Sequence, residues 1–267
     1  MKFSFSTLGC PRWTLSEIVT AAKDLGYAGV ELRGLGDDIF LPDARVFRQG
    51  GAGAAREFSS RGLAVPCIAT ECEVFGHMPD LAEKVGAYLR LAAALGCPNL
   101  RLLGDRDPWK SDEADAETVA ANLRLLAPEA ERMGVSLLLE SNGIFSDSAL
   151  LADTVRAVNS PRVAVLWDVN HPVRYGGETP EKTWANLAGL VRHVHVKDSV
   201  VTNGEVVYKM LGRGTLPLSE AFGLLKSGGY DGFVSLEWTK RWHQELEEPG
   251  IVFDHFIHHA RRIWEKA

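Results

Sequence analysis

The segment LGYAGVEL at residues 25–32 has a counterpart near the other end of the chain, GGYDGFVSLE at residues 228–237. Both segments place Gly-Tyr-x-Gly directly before a short apolar run, and each run contains a glutamate, Glu31 or Glu237. A glycine after a helical stretch, followed by an apolar run, is typical of a corner between a helix and a strand. The two segments therefore indicate repeated strand–helix units.

Short apolar runs alternate with amphipathic stretches along the whole chain. Eight of these runs are predicted strands: Lys2–Thr7, Gly29–Arg33, Ala64–Thr70, Asn99–Leu103, Val135–Ser141, Val163–Asp168, Val191–Val196 and Gly232–Glu237. Their nearly continuous apolar content is typical of parallel strands that are buried on both faces. Eight units of about 33 residues match the usual size of a (β/α)8 barrel, roughly 250 residues. We therefore expect an α/β protein, a TIM barrel that forms a single domain over residues 1–267.

A doubly wound open sheet is the competing architecture. Such a sheet usually has a glycine-rich phosphate-binding turn after its first strand. The residues that follow the first predicted strand, Leu8-Gly9-Cys10-Pro11, do not form that motif. The barrel is therefore the better interpretation.

Three polar segments predict where helices begin. Thr14-Leu15-Ser16-Glu17 opens one helix, and Thr179-Pro180-Glu181 opens another with a proline near its first position. Asp80-Leu81-Ala82-Glu83 has the spacing of a capping box and precedes a run rich in Ala and Leu. We expect that third helix to end at Gly96.

Composition narrows the classes of function. The chain has 29 Lys and Arg residues against 35 Asp and Glu residues, a formal charge of −6, whereas a general nucleic-acid-binding protein needs a basic surplus. No apolar run approaches the roughly 18 residues of a membrane span, and the start does not resemble a signal peptide. The four cysteines, Cys10, Cys67, Cys72 and Cys97, show neither CxxC nor zinc-site spacing. A reduced, cytoplasmic enzyme is the expected context.

Polar side chains end four consecutive predicted strands in the second half of the chain: Glu140, Asp168, His195 and Glu237. Barrel enzymes keep their chemistry at this end of the strands, where side chains from several strands converge. Three carboxylates and an imidazole in a dry barrel mouth would be unfavourable unless a cation lies among them. The pattern therefore predicts one divalent metal ion. An oxygen-rich set with one nitrogen favours Mn²⁺, with Mg²⁺, Co²⁺ or Zn²⁺ as alternatives.

Each of these residues taken alone has an ordinary interpretation. A single glutamate at a strand end is usually solvated or ion-paired, and a single histidine in a strand is usually a core residue. The recurrence over four successive strands outweighs that interpretation. Parity places His193 and His195 on one face of their strand, so the histidine nearer the C-terminal end, His195, is the expected ligand. His193 is expected one layer lower, as a packed or hydrogen-bonded core residue.

The same residues carry a family resemblance. The segments LESN at 139–142, WDVNH at 167–171, HVKD at 195–198 and LEW at 236–238 resemble the xylose isomerase-like superfamily of sugar isomerases and epimerases. The resemblance is strong in the second half of the chain and rests in the first half on the strand–helix rhythm and the GVEL strand. It implies that Glu140, Asp168, His195 and Glu237 bind one divalent metal ion. It also implies that His171 contacts the substrate.

The expected chemistry follows from a ketone held on such an ion. A 2-hydroxyketone bound through two oxygens has an acidified C–H beside its carbonyl, because the metal stabilises the enediolate that forms. Epimerisation then needs a base on one face of the substrate and an acid on the other. In similar ketose epimerases the residues equivalent to Glu140 and Glu237 perform this work. We therefore expect these two glutamates to be both metal ligands and the acid–base pair.

Other polar residues near strand ends are candidates for substrate binding. Glu31 ends an early strand and could hydrogen-bond sugar hydroxyls. Lys197 is expected either to point to the substrate or to pair with Asp198. Arg213 lies between two glycines, which could let it approach an anionic or hydroxylated substrate; a plain turn with an exposed arginine is the alternative.

The leading hypothesis is a metal-dependent isomerase or epimerase of a keto-sugar or polyol. A dehydratase of an inosose- or dehydroshikimate-like substrate would start from the same enolate and is the main alternative. An abasic-site endonuclease is a remote alternative, because it would need histidines that residues 67–71 and 100–104 do not contain. The expected partner is a small sugar or polyol, not nucleic acid or a membrane. A histidine-rich helix face at residues 255–259 is a candidate contact in a homo-oligomer.

Overall fold

A computed structural model describes residues 1–48, 50–106, 110–111 and 113–267. Eight parallel strands form its central sheet: β1 (Lys2–Ser6), β2 (Gly29–Glu31), β3 (Ile68–Glu73), β4 (Asn99–Leu103), β5 (Ser136–Glu140), β6 (Val163–Asp168), β7 (Val191–Val196) and β10 (Phe233–Leu236). Their order in the sheet is β2, β1, β10, β7, β6, β5, β4, β3. Parallel bridges from Gly29 to Ala64 and from Leu32 to Ile68 join the two outer strands of that order. The predicted α/β fold, a TIM barrel, is confirmed.

The helices cover the outside of the barrel. Nine are present in the described residues: α1 (Leu15–Asp24), α2 (Ala52–Ser60), α3 (Met78–Leu95), α4 (Ala116–Met133), α5 (Ser148–Val158), α6 (Asn170–Arg174), α7 (Pro180–Leu187), α8 (Leu218–Ser227) and α9 (Pro249–Lys266). Most bury one apolar face, as α1 does with Ile18, Val19 and Ala22. Over the described ranges, none of these helices combines the length and the apolar character that crossing a membrane requires.

Two of the three predicted helix starts agree with the structure. The Thr14 hydroxyl accepts from the Glu17 N–H, and the Glu17 carboxylate accepts from the Thr14 N–H at 2.7 Å, which completes a capping box. The Thr179 hydroxyl accepts from the Lys182 N–H, and α7 begins at the following proline. In both helices, the predicted capping residue therefore accepts a hydrogen bond from an N–H group of the first turn.

The predicted start of α3 at Asp80 is wrong, because the helix already begins at Met78. Pro79 lies in its first turn, where the fixed φ of proline suits a helix and its missing N–H has no intrahelical acceptor to lose. Asp80 therefore lies within that turn and does not cap it. The helix ends before Gly96 as predicted, with this glycine at a left-handed φ of 66°.

The third strand and one hairpin differ from the prediction. The strand covers Ile68–Glu73 and not Ala64–Thr70, since Pro66 has no N–H to donate and the pairing before it is reduced to a bridge at Ala64. An antiparallel hairpin, β8 (Asp198–Thr202) and β9 (Glu205–Lys209), follows β7 and was not predicted. Its two-residue turn, Asn203-Gly204, has φ values of 53° and 84°. Asn-Gly is the usual sequence signal for such a turn.

Small polar side chains fill part of the barrel interior beside the polar residues of β7. Ser4 pairs in register with Ser235, and Ser235 pairs with His195. All three are fully buried. Because the two serines are small, they leave room on this face for the His195 imidazole. The register of the strands places the imidazole beside them.

Candidate active site

The four predicted metal ligands come together at the C-terminal ends of adjoining strands. Glu140 and Asp168 end β5 and β6, His195 is the penultimate residue of β7, and Glu237 directly follows β10. Asp168 is in register with His195, and the Glu237 N–H donates to the Val196 carbonyl at 3.0 Å. All four ligand side chains are buried, and one candidate ligand atom from each lies within 4.8 Å of the others. Metal binding by this group stays a prediction.

The two ring nitrogens of His195 face different carboxylates. Its Nδ1 lies 3.1 Å from Glu140 Oε1 and 3.5 Å from Glu237 Oε1. On the opposite side of the ring, Nε2 lies 2.9 Å from a Glu31 oxygen. Asp168 is oriented by the Asn170 N–H, which donates to Oδ1 at 2.7 Å. Nδ1 is therefore the nitrogen of His195 that is available to a metal ion.

Burial and charge oppose each other in this group. Burial alone would raise the pKa of Glu140, but the Arg101 guanidinium and the His195 imidazole outweigh it and hold the pKa below its ordinary value. Burial likewise opposes ionisation of Asp168, yet the Lys197 ammonium and His171 lower its pKa. Burial would lower the pKa of His195, whereas the surrounding carboxylates of Glu31 and Glu237 raise it well above its ordinary value. The arrangement thus favours ionised carboxylates in a buried setting.

Lys197 places a positive charge among these carboxylates. Its buried ammonium donates to Asp168 Oδ2 at 2.6 Å and also to Glu237 Oε2. The Asp198 carboxylate, the other partner considered for Lys197, accepts from the N–H groups of Gly212 and Gly214 at 2.8 and 2.9 Å. Three buried carboxylates and one imidazole nitrogen are donors of the kind that divalent ions take, so the chemistry of this group fits such an ion.

Glu31 does not lie where a sugar hydroxyl could reach it. Its side chain is fully buried behind His195, and both of its oxygens lie within 3.0 Å of His195 Nε2. One of these oxygens is also 2.7 Å from His193 Nε2, so His193 is a hydrogen-bonded core residue as expected. The expectation that Glu31 binds substrate is therefore wrong in this geometry. Glu31 instead contacts the predicted ligand His195, on the side of its ring opposite Glu140 and Glu237.

Arg101 is a site residue that the sequence analysis missed. It lies in β4, the strand next to Glu140, and its side chain is buried. Its Nε is 3.2 Å from Glu140 Oε2, and its Nη2 is 3.8 Å from Glu237 Oε1. An arginine in the middle of the apolar run LRLL was the available signal, because a charged residue is rarely buried without a partner.

The structure separates the two remaining candidates for substrate binding. His171 lies at the start of α6 with its Nε2 3.8 Å from Asp168 Oδ2, and its ring packs against Tyr175, which lines the cavity above the site. Arg213 is exposed and does not belong to the described lining of that cavity. The plain turn with an exposed arginine is therefore the interpretation that fits Arg213.

A cavity of about 720 Å³ opens above the carboxylates. Glu237 and Arg101 line its floor, Tyr208 of the hairpin lines one side, and Arg33 and Trp242 line another. Such a volume is within the range of small-molecule sites. The hairpin that the sequence analysis missed therefore forms part of the wall of the site.

The comparisons with known proteins agree with this architecture. A family model described as xylose isomerase-like TIM barrel matches residues 19–254. Fructoselysine 3-epimerase of Escherichia coli O157:H7 is 25% identical to this chain in an alignment that covers 92% of this chain and 93% of that protein. Two solved structures, each 17% identical, share the fold. The IOLI protein with a bound zinc atom has a TM-score of 0.81 over 100% of this chain and 99% of its own. The "probable 3-DHS dehydratase AsbF" of Bacillus anthracis has a TM-score of 0.79 over 97% and 98%. The chain therefore belongs to the xylose isomerase-like TIM-barrel family.

Proposed function

We propose that this chain is a divalent-metal-dependent isomerase or epimerase that acts on a keto-sugar or a related polyhydroxy ketone. The observation that carries the proposal is the buried group of Glu140, Asp168, His195 and Glu237, whose candidate ligand atoms lie within 4.8 Å of one another. We expect Mn²⁺, with Mg²⁺, Co²⁺ or Zn²⁺ as alternatives. The activity of the related fructoselysine 3-epimerase supports the reaction class.

In this proposal Glu140 removes a proton from carbon. When bound, the ion would stabilise negative charge on the carbonyl oxygen and the neighbouring hydroxyl oxygen, and so acidify the C–H of the hydroxyl-bearing carbon beside the carbonyl. Burial would raise the pKa of Glu140, but the nearby Arg101 guanidinium and His195 hold it below its ordinary value, so the carboxylate is ionised before the reaction. The C–H bond breaks, and its electron pair remains on the substrate as the enediolate.

Glu237 then returns a proton from the other side. It follows β10, which β6 and β7 separate from the strand of Glu140, so the two carboxyl groups approach a substrate from different directions. Delivery to the same carbon gives an epimer. Delivery to the former carbonyl carbon, with the hydroxyl proton passing to the former carbonyl oxygen, gives an isomer. Afterwards Glu140 holds a proton and Glu237 lacks one. Both must exchange with solvent before the next turnover.

Solvent exchange therefore tests the proposal. Mn²⁺-loaded protein is incubated in D2O with D-fructose, D-tagatose and L-ribulose, and deuterium at the carbon beside the carbonyl is followed by NMR. We expect incorporation together with a new epimer or isomer from at least one ketose, and loss of both after EDTA treatment. Absence of exchange on every ketose, combined with absence of Mn²⁺ binding by calorimetry, would refute the proposal.

A dehydratase is the second candidate, and the similarity of fold to AsbF is the observation that favours it. The same enediolate would form, but an acid would protonate a departing hydroxyl group and water would leave. Loss of water extends the conjugation, to an unsaturated ketone from an inosose and to an aromatic ring from 3-dehydroshikimate. A new ultraviolet absorbance band that the substrate lacks would therefore identify this reaction. Exchange without such absorbance identifies the epimerase. In either case we expect a cytoplasmic enzyme whose partner is a small molecule and not nucleic acid.

A further inference from the structure

Arg33 lines the cavity and is incompletely paired. It lies two residues after Glu31, so strand parity puts both on one face, with Arg33 one layer closer to the mouth. Its side chain is only 9% exposed, and it borders the same cavity as Glu237 and Arg101. Within the described part of the chain, its buried Nη1 has no hydrogen-bond partner. A buried donor left in this state is unfavourable by about 1–3 kcal/mol, more when it is charged.

The nearest carboxylate does not satisfy Arg33. Glu71 Oε2 lies 3.9 Å from Nη1, which is too far for a hydrogen bond. The same oxygen already accepts from the Tyr88 hydroxyl at 2.7 Å. The guanidinium also lies 5.9 Å from the ring of Trp242, whose face attracts a cation and restricts its orientation. Arg33 is therefore held in place, and its charge is only partly compensated.

Neighbouring charges leave the positive charge of Arg33 still less compensated. Burial lowers the pKa of Arg33, and the positive charge of Arg101 lowers it further. Arg101 has Glu140 at 3.2 Å, but Arg33 has no carboxylate at such a distance among the described residues. Two other carboxylates border the cavity, Glu73 and Glu205; they are partly or fully exposed, so water solvates them. An anion bound beside Arg33 would compensate its positive charge.

We propose that Arg33 forms an anion subsite, and that the substrate is a keto-sugar that carries a carboxylate or a phosphate away from its reacting carbon. This inference rests on the proposed function, because it places the ketone at Glu140 and Glu237 and the anionic group at Arg33. A guanidinium presents parallel N–H donors that match both kinds of oxyanion. The exposed Arg213, by contrast, does not border the cavity.

Three compounds with one carbon skeleton test the subsite: D-fructose, D-fructuronate and D-fructose 6-phosphate. Their binding to Mn²⁺-loaded protein is measured by calorimetry, and their hydrogen exchange in D2O is measured by NMR. We expect at least one anionic compound to bind 10-fold or more tightly than D-fructose, since a charge-assisted bond contributes about 1.5–3 kcal/mol. The carboxylate and the phosphate are scored separately, which identifies the class of anion.

The variant Arg33→Met should reduce this preference to within about 2-fold, as expected when the charged donor is lost. Arg61→Met is the matched control, because it removes the same charge at an exposed position after α2 and should retain the preference. Arg33→Lys keeps the charge without the parallel donors and should give an intermediate ratio. It also keeps the test decisive if Arg33→Met does not fold.

The outcomes separate the subsite from the proposed function. Exchange of all three compounds with equal affinities would overturn the anion subsite and leave the proposed function intact. Tight, Arg33-dependent binding of an anionic compound without any exchange would support the subsite and count against the proposed function. Binding of none of the three compounds, or an anion preference that survives in Arg33→Met, would overturn the subsite.

Discussion

Glu31 Oε2 lies 2.9 Å from His195 Nε2, on the side of the imidazole ring that faces away from the other predicted ligands. Since Nδ1 faces Glu140 and Glu237, this contact favours the tautomer with the proton on Nε2. That tautomer leaves the Nδ1 lone pair free for a metal ion. The contact is therefore a carboxylate–histidine pair of the kind that orients metal ligands in many proteins.

The first prediction concerns this pair. Glu31→Gln removes the negative charge behind His195, so we expect Mn²⁺ to bind 10- to 100-fold more weakly, as is typical for the loss of such a partner. Calorimetric titration of the EDTA-treated, dialysed protein measures the affinity. Glu83→Gln, at an exposed position of α3, is the control and should bind as the parent does. An unchanged affinity in a Glu31→Gln protein that unfolds at the parent's urea midpoint would contradict the role of Glu31.

Strand ends could be predicted from the sequence because burial leaves a simple pattern. Apolar runs such as Val163–Asp168 are buried throughout, so the single carboxylate that ends the run stands out. The order of strands in a barrel follows chain order, and this places Glu140, Asp168, His195 and Glu237 at one rim. Parity put His193 and His195 on one face, and the position nearer the C-terminal end of the strand selected His195. These inferences needed only the period of a strand and the topology of the barrel.

Contacts between side chains of different strands could not be predicted in this way. Glu31 and His195 are 164 residues apart, and nothing local indicates that β2 faces β7 through the interior at that level. The same limit applies to Arg101 beside Glu140 and to Lys197 beside Asp168, because each contact depends on how far neighbouring strands are shifted. The shift between β6 and β7 is itself irregular. Side-chain partners therefore required the three-dimensional register.

The second prediction concerns Lys197. In metal-free protein Lys197→Met leaves Asp168 and Glu237 without the ammonium between them, so we expect a loss of about 3–5 kcal/mol in the free energy of unfolding. At one fixed concentration, 1,000 times the parent's Kd, Mn²⁺ should stabilise the parent by about 4 kcal/mol. We expect it to stabilise the variant by more, because in the variant no ammonium competes with the ion for the two carboxylates, so the loss should be smaller with Mn²⁺ than with EDTA. Urea unfolding with EDTA and with Mn²⁺ measures both. Lys23→Met, on the exposed side of α1, should change neither value, and an equal loss in both conditions would contradict the shared role of lysine and metal.

The third prediction uses the capping box of α1. Hydrogen bonds from the Thr14 N–H and hydroxyl lower the pKa of Glu17 below its ordinary 4.5. A lowered pKa means that the stabilisation is present above the unfolded value and is lost as pH falls through the folded value. Glu17→Gln should therefore melt below the parent at pH 7, and the difference in Tm should shrink as the pH falls below 4.5. A difference that stays constant across this range would show that the charge of Glu17 does not matter.

The last prediction separates the roles of the two glutamates. If Glu140 and Glu237 serve opposite faces of the substrate, each one can still remove and return hydrogen on its own face after exchange with D2O. Glu237→Gln should then label only the epimer whose C–H faces Glu140, Glu140→Gln should label only the other epimer, and both should lose epimerisation by about 10²–10⁴-fold. NMR of each epimer with protein saturated in Mn²⁺ measures this, and calorimetry confirms that the ion is bound. Asp168→Asn, which removes a predicted ligand that serves neither face, should weaken Mn²⁺ binding and slow labelling of both epimers alike. If the two glutamine variants instead lose labelling of both epimers equally with the ion bound, one carboxylate must act on both faces and the two-base arrangement is wrong.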